Sequence, residues 1–241
     1  MARLLSPPVD LLKTTSIEPL SGPRTVGASS TQALGGFMQT TAGAFGLWRF
    51  RFSFPPMKGV DFRRFRGWLT ALHGGANATR WDFFDPDMMT YQEAGVDASN
   101  FEIATGVPWS NGEPWSNAEN WAISPPVVAV ATAAAIGATE IALADDWWGH
   151  ELDLGDRVGF FPLHFGVYEI TQVMSAGVYR VWPPLRKAIT TDSYATLKPV
   201  LALRLEGEEA ASATRGLVAG EGLSATLVEV LDYDARDYFA D

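Results

Sequence analysis

Leu47-Trp48-Arg49-Phe50-Arg51-Phe52-Ser53-Phe54 carries an aromatic ring at every second position. Trp48, Phe50, Phe52 and Phe54 fall on one side of an extended chain, and Arg49, Arg51 and Ser53 on the other. This period of two predicts a strand with one face in a core and one in solvent. Pro55-Pro56 stops it, because proline has no N–H to give a ladder. A helix is predicted over 61–73, where Phe62, Phe65, Trp68, Leu69 and Leu72 make one apolar face. Asp61 favours the positive end of the helix dipole, and Gly74-Gly75 supplies the left-handed stop. Trp81-Asp82-Phe83-Phe84-Asp85-Pro86-Asp87 then reads as a short strand running into a turn.

Working outward, residues 1–30 are rich in Pro, Ser and Thr and read as a short strand or extended arm, with turns around Ser21-Gly22-Pro23. Gly35-Gly36 marks a loop or loosely packed strand over 31–45. Residues 95–125 contain a duplication, Pro108-Trp109-Ser110-Asn111 and Pro114-Trp115-Ser116-Asn117, followed by Trp121. It is too short for an architectural repeat and predicts a loop with Asn and Ser turns and aromatic plugs. After Pro125-Pro126 the character changes. Val127–Val130, Glu140–Leu143, Arg157–Phe161, Val167–Val173, Val178–Trp182 and Leu197–Leu205 read as short strands separated by Gly and Pro turns. Such spacing predicts a small sandwich or barrel. Residues 206–216 read as a flexible acidic loop, and Ser224–Tyr233 as a strand that can return to 47–54. The expected architecture is mainly β. A first β-sandwich or barrel domain over 1–124 holds the helix 61–73, a small β-barrel or sandwich module over 125–205 is inserted, and 206–241 returns to the first domain.

Hydrophobic residues form 47% of the 241 and charged residues 19%, so the chain can bury a core and is not of the disordered class. It has no cysteine, which excludes disulfides, thiolate zinc sites and a cysteine nucleophile. His73, His150 and His164 lack metal-ligand spacing. No run of about 18 apolar residues predicts a membrane span, and the proline-interrupted start does not read as a signal peptide. The net charge of −10 is unevenly spread: 1–80 is net +7, 81–160 net −13 and 161–241 net −4. Either the fold mixes these charges on a common surface, or copies dock basic edge to acidic edge.

Asp82, Asp85 and Asp87, with Glu93 and Asp97 nearby, have the residue types for a two-carboxylate glycosidase, but acids around a proline also serve as turn formers and caps. Asp145, Asp146, Glu151, Asp153 and Asp156 have the oxygens for calcium, yet no twelve-residue loop with a central glycine contains them, which favours solvated turns. Trp109, Trp115, Trp121 and Trp147 offer stacking surfaces for a glycan, or plugs for a core or subunit contact. No phosphate loop, nucleophile elbow or zinc-protease motif occurs. The expectation is therefore no catalytic, cofactor or metal site.

The order of the pieces carries a resemblance. An aromatic strand ending in Phe54-Pro55-Pro56-Met57 precedes a helix with Trp68-Leu69-Thr70-Ala71-Leu72-His73-Gly74, and Trp81-Asp82-Phe83-Phe84-Asp85-Pro86 follows. This resembles the distal tail and related minor tail proteins of long-tailed, siphovirus-type bacteriophages. Gly137-Ala138-Thr139-Glu140-Ile141, Leu154-Gly155-Asp156, Trp182-Pro183-Pro184-Leu185-Arg186 and Val200–Leu205 are similar to the inserted β module of such proteins. The resemblance spans residues 45–205 and omits the tryptophan-rich loop at 107–121 and the acidic tract at 206–211. It implies a non-enzymatic structural protein of the virion, made in the bacterial cytoplasm and placed at the tail tip or baseplate. It further implies a homo-oligomeric ring, typically a hexamer, that joins the tail tube to the hub. Tape measure and DNA would pass its lumen without specific binding. Under this reading Arg49, Arg51, Arg63, Arg64 and Arg66 face Asp82, Asp85 and Asp87 of a neighbouring subunit. The competing readings are a carbohydrate-binding module using Trp109, Trp115, Trp121 and Trp147, or a cell-wall-degrading enzyme of the tail tip.

Overall fold

The alternating segment at 47–54 forms the strand its pattern predicts, with Phe50 and Phe52 fully buried and Arg51 turned to solvent. The computed structural model describes residues 2–8, 13–20, 25–32, 38–42, 46–99, 102, 105–123, 126–145, 151–162, 164–231 and 235–237. In chain order its strands are β1 (Ala2–Leu5), β2 (Ser16–Pro19), β3 (Thr25–Gln32), β4 (Met38–Ala42), β5 (Arg49–Ser53), β6 (Ala78–Asp82), β7 (Val127–Thr132), β8 (Glu140–Leu143), β9 (Arg157–Phe161), β10 (Tyr168–Ser175), β11 (Val178–Trp182), β12 (Tyr194–Thr196), β13 (Val200–Leu205), β14 (Ala211–Ser212), β15 (Ser224–Glu229) and β16 (Ala235–Asp237). The helix α1 (Gly59–Ala71) lies between β5 and β6. The mainly β class with a helix and a second β unit is as expected.

A large mixed sheet runs β16-β1-β6-β13-β15-β5-β2, with β14 added on β15. β1 is parallel to both its neighbours, and the other pairings are antiparallel. The last long strand, β15, does return to the strand at 49–53. β13 is central, and Val200–Leu203 is an apolar run whose two faces are both covered, while Arg204 reaches solvent. Leu201, Leu203 and Leu205 join the main core, while Ala202 meets Leu4, Ala78 and Val230 on the other face.

Helix α1 closes the main core. Phe62, Phe65, Trp68 and Leu72 point inward, and the rings form a continuous aromatic layer with the sheet. Phe54 meets Phe65 at 5.2 Å between centroids, Phe52 meets Trp81 at 4.6 Å, and Phe50 meets Phe83 at 5.2 Å. These separations lie in the favourable range for aromatic pairs. The helix starts at Gly59, ahead of Asp61, and ends at Ala71, where the chain turns left-handed through Gly74 and Gly75. At Gly75 (φ +99°) a Cβ would stand 2.2 Å from the Leu205 carbonyl oxygen. Gly67 lies on the exposed side of α1 with open space around it. The two glycines therefore predict opposite signs. Gly75→Ala should lower unfolding free energy by about 3 kcal/mol, through a backbone clash and a left-handed φ. Gly67→Ala should raise it by about 1 kcal/mol. Urea denaturation of the two variants checks both, and equal midpoints would contradict this account of the helix end.

The second unit is a closed antiparallel barrel, β10-β11-β8-β7-β12-β9. Its interior is filled by alternate side chains, among them Val128, Val130, Ile141, Val158, Phe160, Ile170, Tyr179 and Val181. Two sequence-based assignments change here. Residues 197–205 read as a strand of the small module, but Val200–Leu205 lies in the large sheet between β6 and β15. The barrel is closed instead by β12, whose three residues pair with both β7 and β9. Within the supposedly flexible acidic loop, Ala211–Ser212 forms β14. The expected turn at 21–23 lies outside the described residues, while the 31–45 region contributes to β3 and β4, which pair with each other.

The barrel is an excursion between adjacent antiparallel strands. Asp82 at the end of β6 is opposite Val200 at the start of β13, and Phe83 N–H donates to the Pro199 carbonyl at 3.0 Å. A buried ionic junction fixes the barrel to the sheet. Arg186 donates Nε to Glu229 Oε1 at 3.0 Å and Nη2 to Glu229 Oε2 at 2.8 Å, a bidentate pair with side chains 5% and 2% exposed. Arg186 Nη2 also donates to the Gly46 carbonyl, and Trp48 N–H donates to Glu229 Oε2 at 3.0 Å. The Trp48 indole donates to the Val167 carbonyl at 2.8 Å and meets Trp182 edge-on at 4.6 Å.

Candidate functional site

The loop from 106 to 121 folds on its own hydrogen bonds. Val107 and Trp121 exchange both backbone bonds at 2.9 Å and close its base. Between them, the duplicated sequence produces a duplicated turn. Trp109 N–H donates to the Glu113 carbonyl at 3.0 Å, and Gly112 N–H to the Trp109 carbonyl at 2.7 Å. Trp115 N–H donates to the Glu119 carbonyl at 2.7 Å, and Ala118 N–H to the Trp115 carbonyl at 2.7 Å. In each copy the Asn side chain accepts the Glu N–H at 3.1 Å, from Glu113 to Asn111 and from Glu119 to Asn117. Asx turns of this kind explain why Asn holds that position. The matching left-handed residues are Gly112 (φ +83°) and Ala118 (φ +65°).

Two identical turns in tandem, followed by the base pair, bring Trp109, Trp115 and Trp121 to one place. Their centroids are 5.0 Å (109–115), 5.0 Å (115–121) and 6.0 Å (109–121) apart, at edge-to-face or tilted angles. They remain 45%, 40% and 52% exposed. The sequence predicted aromatic plugs, but these rings plug no core. They pack on one another and leave three neighbouring indoles half-exposed as one aromatic knob. Glu113 and Glu119, whose carbonyls accept from the Trp109 and Trp115 N–H groups, belong to the same turns as the rings, and no cation lies between residues 105 and 121 in the sequence. The signal in the sequence was the spacing of six between the three tryptophans, repeated with the Trp-Ser-Asn turn.

The proposed interface residues are scattered differently. Arg49 pairs with Glu206 at 2.6 Å and Arg51 with Glu18 at 3.0 Å, both within the chain. Arg63 and Arg66 stand on the exposed side of α1, and Arg66 lies 5.8 Å from the Phe62 ring centroid. Arg64 is exposed on the same helix. Asp82 pairs with Arg80 at 3.4 Å. Asp85 is bound into the barrel junction: one oxygen accepts from Arg157 Nη1 and the other from Asp87 N–H at 3.1 Å. Arg157 also binds Glu169 at 3.0 Å and lies over the Trp48 and Phe83 rings. Asp87 is exposed. Trp147 lies outside the described residues.

Two concavities border the segment after β6. One, of about 490 Å³, is lined mainly by Phe83, Phe84, Met88, Met89, Tyr91 and Leu197. The other, of about 620 Å³, gathers Asp87, Glu93, Glu151, Asp153 and Asp156. Burial raises the Asp156 pKa, reinforced by the charges of Asp153 and Glu93, while hydrogen bonds from the Asp153 and Met89 backbone oppose the rise. Asp153 and Asp156 also cap one turn, with Asp153 N–H donating to Asp156 Oδ2 at 2.8 Å. Among the described residues, no group of three His, Cys, Asp or Glu is arranged to hold a metal ion. No helix among them is long and apolar enough to cross a membrane. No protein-family model matches this sequence, and no curated protein matches it.

Proposed function

We propose that this chain is a structural subunit of a bacteriophage tail tip, made in the host cytoplasm and assembled into a ring that joins the tail tube to the hub. The observation that carries the reading is the insertion of a closed barrel between β6 and β13 of an open mixed sheet with a helix on its core. That is the arrangement which the resemblance of residues 45–205 implies. The β2 edge of the sheet supports it further. Its side chains are mostly exposed, and its outer backbone groups offer a template for a neighbouring strand. The net charge of −10 suits a lumen that lets DNA slide, since a basic wall would hold phosphates through counterion release. The reading requires no cofactor.

Native mass spectrometry and electron microscopy of the purified chain, alone and with tail-tube protein, test it. A cyclic oligomer with a central channel is expected. A monomer under both conditions, at concentrations up to about 1 mM, a range in which even weak contacts form, would remove the reading.

A further inference from the structure

We infer that the tryptophan knob of one copy docks on the arginine face of α1 in the next copy, which deepens the ring reading and rests on it. The two surfaces are chemically complementary and both are exposed. The knob presents three half-exposed indoles with Glu113 and Glu119 beside them and no positive charge. The helix presents Arg63 and Arg66, three residues apart and therefore on one side. No carboxylate among the described residues forms an ion pair with either. Trp and Arg are the residues that most often dominate protein contacts. A guanidinium gains from an indole face and a carboxylate together, through cation–π attraction and a charge-assisted hydrogen bond.

The geometry of the rings argues against other occupants. With centroids 5.0 to 6.0 Å apart, a cation at the middle of the triangle would sit only about 3 Å from each centroid, inside contact distance, so the rings are not a cage. Asn111 and Asn117 spend their side-chain oxygens on the turns, and Asn117 Nδ2 donates to Glu119 at 2.7 Å, so the polar groups left beside the rings are chiefly carboxylates, which favour a cationic partner over a neutral glycan. What is left is an exposed aromatic cluster with acidic residues in its loop, suited to a basic surface. Because knob and helix are different parts of one chain, the contact is head-to-tail, the type that generates rings or open filaments.

The test uses the full chain and its variants Trp109→Ala/Trp115→Ala, Glu113→Lys/Glu119→Lys, Arg63→Glu/Arg66→Glu, and the last two combined, with circular dichroism as the folding control. Mass photometry reads subunit association. Trp removal should weaken it about thirtyfold, and either charge reversal about tenfold. The combined reversal should restore most of the loss, which a folding defect would not do. If the wild type forms rings and the variants assemble equally well, the docking is wrong and the ring reading stands. If the contact forms as described but yields open filaments, the docking stands and the ring reading falls. A wild type that remains monomeric both alone and with tail-tube protein removes both. Indole fluorescence quenched by soluble peptidoglycan fragments, with association unchanged in the Trp variant, would overturn the docking in favour of glycan recognition.

Discussion

Glu229→Ala should lower the unfolding free energy by about 4 kcal/mol, a loss expected when one member of a buried ion pair is removed. The guanidinium of Arg186 would then sit 5% exposed with the Gly46 carbonyl as a remaining acceptor and no counter-charge. Arg186→Met should cost nearly as much, because Glu229 would keep its charge with only the Trp48 N–H at 3.0 Å to stabilise it. The combined Arg186→Met/Glu229→Met variant should lose less than either single change, about 2 kcal/mol. Two desolvated charges vanish together, and the residual cost comes from the unpaired Trp48 N–H and Gly46 carbonyl. Chemical denaturation of the four species closes the double-mutant cycle. Additive losses would mean that the residues act independently and that the junction is not ionic in origin. The consequence extends to assembly. Gly46 and Glu229 belong to the large sheet and its flank, and Arg186 to the barrel side, so this pair sets how the barrel stands on the sheet. A ring built from the sheet would present its barrels in a defined direction only while that junction holds.

The sheet was legible where side-chain period and strand geometry agree. The alternation at 48–54 named both the strand and its buried face, and Phe50 and Phe52 are fully buried. Glu140–Leu143, Arg157–Phe161 and Val178–Trp182 came out at their actual limits: a glycine turn precedes each, and Pro162, Pro183 or the acidic pair Asp145-Asp146 follows. β12 was not legible, since three residues carry no period, and only its position between β7 and β9 makes it a strand. Val200–Leu205 was legible as a strand but not in its sheet: apolar residues on both faces at 200–203 say that both are covered there, not by what. The ionic junction was invisible for a related reason. Arg186 and Glu229 are 43 residues apart, and nothing local distinguishes them from solvated charges. The knob was half legible. Duplicated Asn turns and a tryptophan every six residues were present in the sequence, but the turns' direction decides whether the rings enter a core or gather outside it.

Acidification should expose a second cost at the same junction. His164 is buried, and its Nε2 lies 2.6 Å from the Tyr168 hydroxyl, which also accepts the Arg186 N–H at 2.9 Å. With that N–H occupying the phenol oxygen, the phenol proton is best given to Nε2, so the imidazole is neutral and accepts. Burial pushes its pKa down from 6.5 to about 4, and the charge of Lys187 adds to the shift. The unfolded chain takes up a proton near pH 6.5, while the folded chain resists until about pH 4. The stabilisation is therefore fully present above pH 6.5 and is lost as pH falls through that window, levelling below it. Its size is about 3 kcal/mol. Asp156 works in the opposite sense, because its raised pKa favours the folded state as acid is added. The informative quantity is thus the difference between wild type and His164→Gln, whose side chain can still accept from Tyr168 but does not titrate. The wild-type stability curve should fall by about 3 kcal/mol relative to the variant between pH 7 and pH 4. Parallel curves would show that His164 is not held neutral by burial, and the hydrogen-bond order Arg186 to Tyr168 to His164 would have to be reversed.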